Sequence, residues 1–168
     1  MIFNQVKQDI DEWIKNFLAI PRKNLNGWSP CPYAHAAVHK QSYKTFIGTD
    51  IHTDLNKISN YQLKPDEVVI IAYSKTQYPN PDVFFKTIKE INDFLLTDRD
   101  LIALGDHPNM IEEVNGVKFN QGKYVLVLIQ NLNDLNIKSK KVAKAGFYID
   151  WSEEYLADIF LHRKDPRT

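Results

Sequence analysis

Apolar residues recur at three- and four-residue spacing along the start of the chain: Phe3, Val6, Ile10, Trp13, Ile14 and Phe17. That spacing predicts an amphipathic helix with one apolar stripe, which Pro21 ends. Residues 22–30, RKNLNGWSP, are polar and marked by Gly and Pro, so they read as a loop. Pro32 suits the first turn of a short helix over about 32–40, which places Cys31 near its N-cap. The pattern then changes period. Residues 43–48, YKTFIG, predict a strand, and Thr49 or Asp50 is a cap for a short helix through about Ile58. Glu67–Tyr73, EVVIIAY, is a continuous β-branched run and predicts a buried strand.

Asn80-Pro81-Asp82 opens the next helix, whose stripe is Phe84, Ile88, Ile91 and Leu95. Asp100–Leu104 predicts another strand, followed by a turn at Gly105-Asp106-His107-Pro108. A polar excursion with Asn115-Gly116 as its hairpin turn comes next. Tyr124–Ile129, YVLVLI, predicts a second fully buried strand. Residues 133–145 predict a helix ended by Gly146. Asp150 and Glu153 have capping-box spacing for a last helix that turns Tyr155, Leu156, Ile159 and Phe160 inward. The tail, about 163–168, is expected to fray. Strands that alternate with helices predict an α/β fold. The expectation is a single domain over 1–168, with a mixed sheet of about four strands and helices packed on it. No helix separates 100–104 from 124–129, so the last strand is expected to enter antiparallel.

Composition narrows the function classes. A chain of 168 residues suits one compact domain. Its 21 basic and 21 acidic residues cancel, which argues against broad nucleic-acid binding. One cysteine forms no internal disulfide and no CxxC pair, so a reducing, cytoplasmic location is expected. The start, MIFNQVKQDIDEW, is acidic where a signal peptide is apolar, and no stretch is long and apolar enough for a membrane partner to be expected.

The candidate chemistry gathers in WSPCPYAHAAVHK, residues 28–40. A thiol at a helix start meets free N–H groups and the positive end of the helix dipole, which favour the reactive thiolate. His35 is one turn on, and His107 lies on a loop after a strand, so either is a candidate proton carrier for Cys31. Cys31, His35 and His39 also share one helical face. Over eight residues a helix rises about 12 Å, so at most two of them reach one ion. His35, His39 and His107 with Asp106 form the candidate metal set, for which zinc or iron is the expected ion. His52 between Asp50 and Asp54 is a further histidine of this kind. A haem contact at Cys31-Pro32 rests on two residues and ranks low.

Other features carry less. Gly105-Asp106-His107-Pro108 follows a strand, where ligands of α/β sheets gather. The run Lys138, Lys140, Lys141 and Lys144 reads as a solvated helix face before it reads as a phosphate site. There is no P-loop, GxGxxG, HExxH or GxSxG motif.

Trp13 in the first helix and Cys31-Pro32-Tyr33-Ala34 after it resemble the motif of a bacterial family of domains of unknown function. That family is marked by Cys-Pro-Phe-Ala after a Trp-containing helix. Residues 67–73, 82–96 and His107-Pro108 look like its strand, Phe-rich helix and later His-Pro step, so the resemblance spans about 6–130. Pro30 stands where the family tends to have leucine, and Tyr73-Ser74 where it tends to have His-Pro. The resemblance implies that Cys31 and His107 are the pair to test.

Three functions are therefore expected in order. The first is a small enzyme using a Cys31 thiolate with a histidine on a small-molecule substrate, which needs no cofactor. The second is a metal-binding protein using histidines and a carboxylate. The third is a non-enzymatic binding or assembly protein whose aromatic surplus, 12% of the chain, meets a partner.

Overall fold

The structure is a computed structural model that describes residues 1–168. Helix α1 spans Phe3–Trp13, α2 Ala34–Lys40, α3 Ile51–Ile58, α4 Pro81–Ile91, α5 Leu132–Lys144 and α6 Glu153–Ile159. Strands β1 Tyr43–Ile47, β2 Val68–Tyr73, β3 Leu101–Asp106 and β6 Val125–Asn131 form one sheet in the order β1-β2-β6-β3. Strands β4 Glu113–Val114 and β5 Val117–Lys118 form a separate hairpin. The fold is α/β with a four-stranded mixed sheet. β1 and β2 are parallel, joined through α3, and β6 runs antiparallel to both β2 and β3. The chain enters β6 from the hairpin rather than from a crossover helix, and that sets its direction.

Local chemistry places most boundaries. Asp50 accepts from the Thr53 N–H and caps α3. Asn80 accepts from Asp82 and Val83 at the start of α4, with Pro81 in the first turn. Asn115 and Gly116 both have positive φ, 49° and 78°, which gives the two-residue turn that Asn-Gly favours.

Four expectations need correction. Helix α2 begins at Ala34, not Pro32, so Cys31 lies three residues before its first residue and is not its cap. Strand β3 runs on through Gly105 and Asp106, because both pair with β6, opposite Val127 and Leu126. The last helix is capped by Ser152, whose Oγ accepts from the Tyr155 N–H. The Asp150 carboxylate expected there accepts instead from two asparagine amides. The α-helical stretches of α1 and α4 also end earlier than their stripes. Each passes into a π-helical turn, Ile14–Leu18 and Asn92–Leu96.

The sheet is covered on both faces. Odd-numbered residues Val69, Ile71, Tyr73, Val125, Val127 and Ile129 pack with α3 and α4. Even-numbered Ile70, Ala72 and Leu126 pack with α1 and with Ala34 of α2. Period-two alternation on a sheet buried on both sides explains the unbroken apolar runs of β2 and β6. Gly105 has no room for a side chain, since a Cβ there lies 2.7 Å from the Phe84 ring.

Strand β3 is an edge strand, and one residue closes part of that edge. Asn92 is buried, at 3% exposure. Its amide donates to the Ala103 carbonyl at 2.9 Å, and its Oδ1 accepts from the Ala103 N–H at 2.9 Å. One side chain thus does for Ala103 what a neighbouring strand does in a ladder. Asn92→Leu is expected to orphan both backbone groups and to lower stability by about 2–4 kcal/mol. Urea unfolding of wild type and variant measures this; equal midpoints and slopes refute the role given to Asn92.

Candidate functional site

Cys31 sits in the turn before α2. Its backbone N–H donates to the Leu18 carbonyl at 3.1 Å, which ties this turn to the end of the first helical segment. The sulfur accepts from the backbone N–H groups of Tyr33 and Ala34, and Lys138 lies within electrostatic reach. These favour the thiolate, as the sequence implies. Burial acts the other way and is the larger effect, so the Cys31 pKa is raised. The thiol is protonated at neutral pH.

The structure does not bring a histidine to it. His35 and His39 are exposed on α2, and neither hydrogen-bonds to Cys31. His107 is fully buried on the opposite layer of the sheet. Its ring packs against Phe84 at 5.6 Å, inside the cluster with α3 and α4, whereas Cys31 packs with the α1 cluster. Both His107 nitrogens are used. Nδ1 accepts from the Asn109 N–H at 3.1 Å, and Nε2 meets the Tyr78 carbonyl at 2.8 Å. That pattern requires the Nε2–H tautomer donating to Tyr78. His107 therefore pins two loops together.

Asp106 precedes His107 and faces the other side of the sheet, as strand alternation demands. It accepts from the Asn120 amide at 3.1 Å and the Gln121 N–H at 2.9 Å. It fastens the 107–121 excursion to the end of β3. His35, His39, His107 and Asp106 do not meet, and no group of three or more His, Cys, Asp or Glu side chains converges anywhere in the chain. His52 stays on the first turn of α3. Lys138 of the basic run is neutralised between Asp66 and Asp134.

Two features outside these expectations stand at one end of the molecule, around the β4–β5 hairpin. The first is acidic. The Glu112 carboxyl accepts no hydrogen bond, and burial, Asp106 and Asp158 push its pKa up to about 8. The same groups raise that of Tyr155, after burial. Tyr155 stacks on Trp151 with centroids 5.0 Å apart and planes within 7°.

The second is an aromatic recess. Trp28, Phe119, Phe147 and Trp151 line it, with Leu25 and Val114 beneath and Asn26 and Asp150 at its rim. Trp28 and Phe147 meet edge to face at 5.4 Å. Trp151 touches both Phe147, at 5.2 Å, and Phe119, at 5.5 Å. Three loops build the rim. Asn26 from the loop before α2 donates to Asp150 Oδ2 at 2.7 Å, and Asn115 from the hairpin turn donates to the same oxygen at 2.9 Å. Asn26 has positive φ, 54°, like Asn115, so two left-handed turns aim two amides at one carboxylate. No lysine or arginine lines the recess or pairs with Asp150. The cavity is about 10 Å³, far below the ~300–1,000 Å³ of pockets for drug-sized ligands. The enclosed part has room for about one water-sized group.

Reading along the chain missed this recess, because its walls lie up to 126 residues apart, from Leu25 to Trp151. The aromatic surplus and the paired Asn-Gly steps at 26–27 and 115–116 are its only local signals. Comparison with known protein families, with curated proteins and with solved structures finds no match for this chain.

Two outcomes follow from the electrostatics. Cys31 is expected to react with iodoacetamide more slowly than free cysteine at neutral pH, followed by mass spectrometry. Faster labelling overturns the assignment of a protonated, half-buried thiol. Glu112 binds its proton more tightly folded than unfolded, where its pKa is about 4.5. Its contribution to stability is therefore complete below about 4.5 and is lost as pH rises through about 8. Glu112→Gln should flatten the fall in melting temperature across that window. An unchanged pH profile contradicts it.

Proposed function

We propose that this protein is a binding protein, and that the aromatic recess is where it takes its ligand's head group. One observation carries the reading. Three loops far apart in sequence, two of them in left-handed turns, converge on a single carboxylate over a small aromatic-walled space. Aromatic rings give a large contact area with few rotamers to freeze, which is why they dominate binding centres. The recess takes about one water-sized group and not a whole cofactor, so the rest of the ligand lies outside it. This is the third of the functions expected from the sequence.

The thiol enzyme has less support. It needs a thiolate and a proton carrier at one point, and burial works against the first while the sheet separates Cys31 from His107. The histidine metal centre lacks a convergent ligand set.

The three tryptophans give an internal control. Trp28 and Trp151 line the recess, whereas Trp13 packs under α1. On titration with tert-butanol, the ¹H–¹⁵N indole signals of Trp28 and Trp151 are expected to shift saturably and that of Trp13 to stay. Shifts at Trp13 alone, or at none of the three, overturn the reading.

A further inference from the structure

We propose that two copies of this chain pair through the open edge of the sheet, strand β1 against β1, antiparallel and centred on Thr45. This surface is separate from the aromatic recess and does not depend on it.

The sheet has two edges, β1 and β3. Asn92 closes the β3 edge at Ala103. Strand β1 has no such cover. Ser42 accepts from the Val68 N–H, and Gly48 donates to the Ala72 carbonyl, across the parallel ladder with β2. Along a strand these groups alternate from side to side. Even-numbered residues therefore turn theirs to β2, and Tyr43, Thr45 and Ile47 turn theirs outward. No other backbone segment and no side chain bonds to this outward row; the Asp11 carboxylate takes the Tyr43 hydroxyl only. A bare row of N–H and C=O groups is a template for one more strand.

The residues of β1 select a second copy as that strand. With a two-fold axis at Thr45, Tyr43 of one copy lies opposite Ile47 of the other, and Thr45 opposite Thr45. Every outward N–H and C=O of Tyr43–Ile47 then has a partner. Moving the axis to Lys44 sets two lysines against each other. Moving it to Phe46 carries Tyr43 past the end of the strand, opposite Thr49. The side chains agree with the Thr45 centre. Lys44 and Phe46 pair with Val69 and Ile71 and so share the face of α3 and α4. Both are exposed there, Phe46 at 47%. In this register each Lys44 lies opposite the Phe46 of the other copy, where an ammonium over an aromatic ring is favourable and like charges do not meet. Thr45 pairs with Ile70 and faces the α1 layer. It is 7% exposed, and its Oγ1 has no hydrogen-bond partner. One χ1 step turns that hydroxyl toward the axis, where the Thr45 of the second copy stands directly across, as in cross-strand Thr–Thr pairs.

A five-residue ladder is a small interface, so a dissociation constant on the order of 10–100 µM is expected. Sedimentation velocity of the whole chain from about 10 µM to about 1 mM covers that range. A species of twice the 19.6 kDa chain mass is expected to grow with concentration. Phe46→Lys places two lysines opposite each other at an exposed position and is expected to raise the dissociation constant about tenfold. Amide hydrogen exchange of the wild type, resolved by NMR, locates the contact. Tyr43, Thr45 and Ile47 are expected to exchange severalfold more slowly at the high concentration than at the low one. Lys44 and Phe46, already bonded to β2, are expected to exchange equally at both. A chain that stays monomeric at about 1 mM overturns the proposal. So does a dimer whose Tyr43, Thr45 and Ile47 amides show no added protection, or one that Phe46→Lys leaves as tight as before.

Discussion

Strand β6 lies between β2 and β3 and pairs with both along its length, from Val125 opposite Tyr73 to Asn131 opposite Leu101. Its backbone groups are satisfied by those two ladders, so its side chains are free to be apolar on both faces. Val125, Leu126, Val127 and Ile129 are all without measurable exposure. This sheet is the wall on which both layers depend. α3 and α4 pack on one side, and α1, with the start of α2, on the other. A wall of this kind also partitions chemistry. Residues that alternate along a strand end on opposite sides, so Asp106 and His107, adjacent in sequence, serve different layers. Cys31 and His107 are held apart by the same construction.

Several side chains that look like reactive groups act as substitutes for missing backbone partners. His107 bridges the Tyr78 carbonyl and the Asn109 N–H. Asp106 accepts from Gln121 and Asn120. Asn92 completes the edge at Ala103. Each sits where a strand or loop leaves a buried polar group that water does not reach. An unpaired group there costs about 1–3 kcal/mol, which is a sufficient physical reason for a buried histidine, aspartate or asparagine at these places. Such residues carry the polar accounting of the fold.

The opposite arrangement holds at the end of the molecule beside the β4–β5 hairpin. There the aromatic rings outnumber the backbone needs. Trp151 contacts Phe119, Phe147, Tyr148 and Tyr155 at once, and so joins two small clusters that the main sheet does not reach. Arginines stand over two rings of these clusters, Arg22 on Phe17 and Arg163 on Phe160, but neither forms an ion pair with Asp150 or Glu112. Asp150 is fixed by amides and not by a counter-charge. Glu112 is held partly neutral by burial and by its acidic neighbours. The electrostatic character of this end is therefore set by the fold and not by net charge, which is zero for the chain.

The sequence by itself determined the α/β class, the four sheet strands, a cap at Thr49 or Asp50, the cap at Asn80, the Asn115-Gly116 turn and the direction of the last strand. All of these follow from interactions between residues close in the chain: apolar periodicity, side-chain oxygens on nearby N–H groups, and the short route into β6. Only the tertiary structure decided which face each strand end served, why Cys31 stays protonated despite two N–H donors, and where Asp150 went. The capping-box spacing of Asp150 and Glu153 is a local pattern, and Asn26 and Asn115 overrode it from 124 and 35 residues away. The recess has walls from three separate segments, so no window along the chain contains it. Periodicity reports what one element buries, whereas a site depends on which elements meet, and that is fixed by packing.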